Sequence, residues 1–387
     1  MRIAVVGNGR TVHALVRAGA LAKRGHAVRL VTAGPVLEAP GIEVRTRPLP
    51  ANPLAAVLSA RGFLRDIRSF APDVLHVHYA GNKLGTMAVV SGVRPLVVTV
   101  MGGDVQPEQH LAGLPALERR ATRRLLEEAD LILAKSDALR AEIAAFGRFE
   151  SKIETVRWGV DPELFRARPE EAAALRARLG LAAGDRVVLS PRLLRPLYNV
   201  HLLVEAMPRV LAAVPGALLL LSRHRADEDY ERTLRARVDA LGLAARVRFV
   251  PRIDHAEMPA WYTLAEVSVN LPFSDGLPQS MFEAMACGTA SLLGRLPFYA
   301  EVATDGTHVL LADLTTDAVG AALVRLLTDD ALRRSLAGAG RRRILEVACL
   351  PREAERVEGF YERLLAQPRR RTSRAARALD AASLLLR

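Results

Sequence analysis

The segment FSDGLPQSMFEAMACG concentrates residues able to do chemistry. Asp275 lies in a loop, and Glu283, eight positions later, falls in a short helical stretch whose Met281, Ala284 and Met285 face inward. Gly276 lets the backbone approach a ligand, and the helix start aims free N–H groups and a positive dipole at the same place. Carboxylates on either side of such a turn can accept hydrogen bonds from vicinal hydroxyls, as a sugar or ribose provides. Taken alone, two acids near a glycine more often make a capping loop.

Other candidates sit at the ends of apolar runs. The first run leads into GNGRTVHAL, where Gly7 and Gly9 suit either a tight turn or a phosphate contact at a helix start. It is not the dinucleotide fingerprint: Val12 occupies the third small position, and no acid follows LVTAG to hold a ribose, which disfavours a dehydrogenase. His76 and His78 alternate along DVLHVH, so one enters a helix-covered face, while His78, nearer the strand end, is the better candidate for a cleft. Structure is favoured for both. Asp104 in GGD either caps a following helix or touches an acceptor, and His13 faces cleft or solvent. Gly159 and Asp161 fit a hinge better than a substrate contact. Cys287 and Cys349 have no CxxC or metal-ligand spacing and read as buried thiols, with no metal site.

These residues need a scaffold, and the chain supplies one twice. RIAVVG, AVRLVT, DVLHVH, LVVTV and DLILA each precede a segment of helical spacing, and the pattern restarts with RVVLS, ALLLLS, RVRFV, EVSVN and TASLLG. Such alternation predicts two parallel α/β sheets covered by helices on both faces. WGVDPELFRARPEE reads as the connection between them. Ligands of open parallel sheets bind outside the carboxyl ends of the strands, so the chemistry is expected in a cleft between the two sheets.

The net charge of +12 favours anionic partners. Nearly all of it is arginine: lysine occurs only at Lys23, Lys83, Lys135 and Lys152, so any cation needed in the second half must be arginine. Arg369, Arg370, Arg371, Arg374 and Arg377 face one acid, Asp380, in a tail that reads as a solvated end or as a segment lying on an anionic membrane. Nucleic acid is disfavoured as a partner, because 5% aromatic residues are too few for a stacking platform. No apolar stretch is long enough to cross a bilayer, and MRIAVVGNGR enters a strand at once, giving a cytoplasmic expectation.

With Asp275 to Gly288 in hand, the chain resembles the retaining glycosyltransferase family 4. That family's mark is an acid, a glycine turn and a glutamate eight residues later followed by AMACG. KRGHAVRLVT, PDVLHVH, VVTVMGGDV, ADLILAKSDALRAEI, KIETVRWGVDPELF, SPRLLRPLYNVHLLVEAM and YERLL extend the resemblance over residues 1 to 365. It implies the α/β GT-B architecture, with two Rossmann-like domains facing across a cleft and a C-terminal helix crossing back to the N-terminal domain. Boundaries are expected at 1–160 for an acceptor-binding domain, 161–348 for a nucleotide-sugar domain, 349–366 for the returning helix and 367–387 for the basic tail.

By that resemblance Glu283 holds donor ribose hydroxyls, Asp275 holds the transferred sugar, and the backbone near Gly276 and Leu277 supports sugar and phosphate. Arg192 neutralises the leaving diphosphate. From its own turn, not from the resemblance, Gly9 is added as a further donor contact. His78, Asp104 and Met101 are assigned to the acceptor side or cleft. The donor is a UDP-, GDP- or ADP-sugar with no metal or other cofactor, and the acceptor is lipid-linked or a saccharide. Cell-envelope glycolipid or polysaccharide synthesis, at or near the inner face of the cell membrane, is the expected setting.

Departures from the family pattern bear on the pocket. The family places a lysine and a glycine after its arginine, whereas this chain reads RPLYN, with Leu197 and Tyr198; Arg195 is the candidate substitute, and Arg223 a weaker one. Asp275 is one methylene shorter than the usual glutamate, Pro278 removes a backbone donor, and Met101 stands where many members carry histidine. The competing functions are a nucleotide-sugar epimerase on the same fold and a catalytically silent nucleotide-sugar-binding subunit.

Overall fold

A computed structural model describes residues 1–48, 53–80, 83–105, 116–223 and 226–368, so the basic tail from residue 369 lies outside the described residues. The chain divides into two compact units. One contains Met1–Arg157 and receives the last helix, which begins at Leu350; the other is Trp158–Cys349.

The first unit is a sheet of seven parallel strands: β1 (Arg2–Val6), β2 (Ala27–Thr32), β3 (Glu43–Thr46), β4 (Val74–His78), β5 (Leu96–Val100), β6 (Leu131–Ala134) and β7 (Ile153–Thr155). Their order is β3-β2-β1-β4-β5-β6-β7. Helices α1 (Val12–Lys23), α2 (Pro53–Ser69), α3 (Lys83–Ser91), α4 (Ala116–Glu128) and α5 (Asp137–Ala144) connect them. The period of two is visible in β1: Ala4 and Val6 enter one core, with Phe63, Leu75 and Val98, while Ile3 and Val5 enter the other, with Leu15, Leu30 and Val97. Burial on both faces explains why β1, β4, β5 and β6 are largely apolar, whereas the edge strand β3 is mostly exposed.

The second unit repeats the plan after α6 (Pro169–Arg178). Its strands β8 (Arg186–Ser190), β9 (Ala217–Ser222), β10 (Val247–Val250), β11 (Val267–Asn270), β12 (Ala290–Gly294) and β13 (Leu310–Ala312) lie parallel in the order β10-β9-β8-β11-β12-β13. Helices α7 (Val200–Ala213), α8 (Glu228–Ala240), α9 (Met258–Leu264), α10 (Gln279–Ala286), α11 (Thr316–Thr328) and α12 (Asp330–Val347) cover the sheet. Val187 and Leu189 pack toward α9 and α10, and Val188 toward α7 and α11. In each unit the strand order reverses once, between β1 and β4 and between β8 and β11, and the loops leaving those strands diverge to leave a crevice.

The last helix, α13 (Leu350–Leu365), belongs to the first unit through one face. Ala354, Val357 and Tyr361 recur at helical spacing; Val357, Phe360 and Tyr361 enter the core of Ile3 and Leu30. Each such burial contributes roughly 1.5–3 kcal/mol. Arg17 of α1 meets Glu353 at 2.8 Å, with both side chains nearly buried. The hydroxyl of Tyr361 lies 2.6 Å from Nδ1 of His76, whose Nε2 lies 2.7 Å from Thr99 Oγ1. Burial pushes His76 down to about 3, so the imidazole is neutral, with one nitrogen donating and the other accepting.

Two consequences can be measured. Tyr361→Phe strands one buried imidazole nitrogen and is expected to cost about 1–3 kcal/mol in the first unit's unfolding transition under urea. Because the unfolded His76 binds a proton near pH 6.5 and the folded one only near 3, its contribution to stability is complete above pH 6.5 and declines as pH falls through that window. An unfolding midpoint in the His76→Gln variant that falls just as steeply between pH 6.5 and 4 would assign the acid sensitivity elsewhere.

Candidate functional site

The second unit's crevice lies beyond β8 and β11, and the chain places Arg192 two residues past the first and Asp275 five past the second. Arg192 donates to Asp275 Oδ2 at 2.6 Å and to Ser280 Oγ at 3.2 Å. Ser280 in turn donates to Oδ1 of the buried Asn270 at 2.8 Å. The guanidinium carbon sits 4.2 Å from the ring centroid of Tyr198. Burial works against the charge of Arg192, but the carboxylate of Asp275 outweighs it, so the guanidinium pKa lies above its ordinary value.

The other oxygen of Asp275 accepts the N–H of Gly276 at 2.6 Å. The left-handed residue of this turn is Leu277, at φ 66°, rather than the glycine beside it. A non-glycine residue held there carries strain of about 1–3 kcal/mol, which the burial of the leucine side chain offsets. Pro278 then opens α10 with no side-chain cap, so the helix presents its first N–H groups uncapped by a side chain on the same side as Arg192 and Ser280.

Inside α10, Glu283 is buried and doubly engaged: Tyr262 donates to Oε2 at 3.1 Å and His255 Nε2 lies 3.2 Å from Oε1. Burial, and then the Glu283 charge, push the Tyr262 phenol well up, so it remains a donor. His255 rests edge-on against Phe165, ring centroids 5.1 Å apart. Tyr299 is buried close enough to feel Asp275, and its hydroxyl has no partner among the described residues. Burial raises the Cys287 thiol to about 12, so it is an inert part of the core.

The structure therefore gathers Arg192, Asp275, Gly276 and Leu277 around one turn, with Glu283 held in the helix that follows. His255, Tyr262 and Ser280 belong to the same neighbourhood and carry no signal in the sequence that would single them out. Arg195 does not join Arg192. It is exposed, and Tyr198 meets the guanidinium instead. Arg223 is engaged by Glu231 at 2.7 Å.

Candidates from the first unit prove to be largely committed. The N–H of Gly9, expected beside a diphosphate, is donated to Thr32 Oγ1 at 3.0 Å, and a Cβ there would come 2.8 Å from Val36. Packing accounts for that glycine. His78 is 3% exposed rather than open to a cleft; burial, and then His76, hold its pKa well below the usual value. Asp104 is fully buried and accepts the N–H groups of Ala80, Met101 and Gly102, so it organises its own loop instead of capping a described helix. Met101 is half-buried beside it. Among the described residues no group of three or more His, Cys, Asp or Glu could hold a metal ion, and no helix is long and apolar enough to cross a membrane.

Two parallel Rossmann-like units, with an arginine and two carboxylates at the switch point of the second, define a GT-B glycosyltransferase. The family described as Glycosyltransferase Family 4 matches residues 7–164, and Glycosyl transferases group 1 matches residues 171–343. The chain belongs to glycosyltransferase family 4. It is 29% identical over 332 residues to the D-inositol 3-phosphate glycosyltransferases of Mycobacterium tuberculosis and Mycobacterium bovis, covering 78% of this chain and 68% of theirs. In fold it is similar to Anabaena HepE in complex with UDP and glucose, with a TM-score of 0.79 at 18% identity, covering 94% of this chain and 100% of that one. Sucrose-phosphate synthase from Thermosynechococcus elongatus superposes with a TM-score of 0.76 at 21% identity, over 95% and 99% of the two chains.

Proposed function

We propose that the protein moves a sugar from a nucleotide-diphosphate donor to an acceptor hydroxyl with retention of anomeric configuration. The observation that carries this reading is the Arg192–Asp275 pair beside Glu283 at the switch point of the second sheet. Glu283 accepts ribose hydroxyls and Asp275 accepts hydroxyls of the transferred sugar. Arg192 and the start of α10 face the diphosphate. The bond from the anomeric carbon to the β-phosphate oxygen breaks while the acceptor oxygen adds from the same face, and the acceptor's proton passes to the departing phosphate. No enzyme carboxylate is bonded to sugar at any stage. Negative charge gathers on the leaving group, and fixed N–H donors lower the barrier by roughly 3 kcal/mol for each well-placed one. Charge compensation by arginine and helix dipole needs no metal.

The Anabaena relative in fold binds UDP-glucose, which favours a UDP-sugar, and the mycobacterial relatives act on an inositol phosphate. A saccharide or lipid-linked acceptor of the cell envelope, met at the cytoplasmic face of the membrane, belongs to the same proposal and rests on the excess of arginine. Thermal-shift assays with UDP-, GDP- and ADP-sugars test the donor. Stabilisation by one of them, weakened by Glu283→Ala and by Arg192→Ala, is the expected result; no shift with any of them would sink the reading, and donor isomerised without acceptor would move it to an epimerase.

A further inference from the structure

We infer that the Arg192–Asp275 ion pair makes this site discriminate the intact sugar nucleotide from its nucleoside diphosphate. The inference rests on the donor reading above. Without ligand, the guanidinium is already neutralised: Asp275 lies at 2.6 Å, with the two side chains 12% and 11% exposed. Among the described residues little other cationic compensation reaches this turn. No lysine follows residue 152, Arg195 is exposed, Arg223 is engaged by Glu231, and Glu283 adds a second negative charge. A diphosphate that takes the Asp275-facing N–H of Arg192 draws the guanidinium away from that carboxylate.

The consequence for Asp275 decides the selectivity. Once Arg192 turns to phosphate, the carboxylate keeps the Gly276 N–H on Oδ1 and loses its charged partner on Oδ2, in a nearly buried position. Separating a buried pair so that one charge stands alone is strongly unfavourable. A sugar carried on the same diphosphate brings vicinal hydroxyls to the vacated oxygen and offsets that cost, whereas free diphosphate brings none. The product diphosphate is therefore expelled as Arg192 returns to Asp275, and the complete donor is retained. A lysine at the position of Tyr198 would supply a cation that Asp275 does not claim; the aromatic ring there holds Arg192 by its face instead.

Calorimetric titration of the full chain with UDP, GDP and ADP, and with their glucose, galactose, mannose and N-acetylglucosamine conjugates, tests this. The wild type is expected to bind its best sugar nucleotide at least about tenfold more tightly than the parent diphosphate. In Asp275→Asn the diphosphate should bind about tenfold more tightly than in the wild type, and the preference for the conjugate should shrink to about twofold. Asp275→Glu keeps the charge and should keep the preference. Equal wild-type affinities for conjugate and diphosphate would overturn the inference even if Asp275→Asn did not fold, and so would an Asp275→Asn protein that binds diphosphate no better. Absence of any nucleotide binding to the wild type would instead remove the donor reading itself.

Discussion

Arg192→Ala is expected to lower kcat by about 10²–10³-fold, because it removes the one guanidinium among the described residues that faces Asp275 and Ser280 at the crevice. The same substitution should also destabilise the second unit. Asp275 is left as a nearly buried charge with only the Gly276 N–H, and stranding one member of a buried pair costs about 3–5 kcal/mol. The two losses are separable. In Arg192→Ala combined with Asp275→Asn, the stranded charge disappears, so the melting temperature should recover most of the way toward wild type. Turnover should not recover, since the double variant keeps only the start of α10, and no guanidinium, to stabilise the departing diphosphate. A double variant that regained activity along with stability would show that Arg192 serves only to hold the turn together.

The sheet scaffold was legible wherever strands are covered on both faces. β1, β2, β4, β5 and β6, and likewise β8 to β12, are mostly apolar runs flanked by helical spacing, and of these only β10, as Val-Arg-Phe-Val, lies at a sheet edge and is partly covered. The strands without such a signal are β3, β7 and β13, each three or four residues long and each at a sheet edge. An edge strand has one neighbour instead of two and less helix over it, so β3, as Glu-Val-Arg-Thr, keeps a polar and largely exposed sequence.

The site divides along similar lines. Asp275, Gly276 and Glu283 are legible because a turn and a helix start fix their spacing locally. His255 and Tyr262 lie 28 and 21 residues before Glu283, in the turn before α9 and in α9 itself, and only the packing of this segment against α10 brings them to its carboxylate. Arg195 was the reasonable substitute for a missing lysine by charge alone. In the structure Arg195 precedes Pro196, takes an extended conformation at φ −142° and ψ 151°, and its side chain lies exposed, apart from Arg192. Three residues on, Tyr198 lies against Arg192, and Asn199 adopts the left-handed conformation that glycine commonly supplies. Gly9 is ambiguous for a related reason. A glycine at a strand-to-helix turn fits an anion or a crowded side chain equally well, and Val36, 27 residues away, is what crowds it.

Glu283→Gln is expected to weaken nucleotide binding by about 30–100-fold, equivalent to roughly 2–3 kcal/mol. Tyr262 and His255 approach opposite oxygens of the carboxylate and fix its plane, leaving each oxygen capacity for one more donor. Two acceptors at that spacing suit the two adjacent hydroxyls of a ribose. Glutamine retains one acceptor and turns an NH₂ group toward either Tyr262 or His255, so it loses a supporting contact as well as a ribose contact. Comparing UDP with 2′-deoxy-UDP isolates the second loss. The wild type should favour the ribonucleotide by about tenfold, and in the variant the preference should shrink to a few-fold, since one of the two acceptors for the ribose hydroxyls is lost. Tyr262→Phe should move affinity in the same direction by a smaller factor, with the ribose preference partly kept, because it loosens the carboxylate without replacing it. If Glu283→Gln preserved the full preference for ribose, Glu283 would be a support for α9 and α10, and the ribose contact would have to be sought elsewhere.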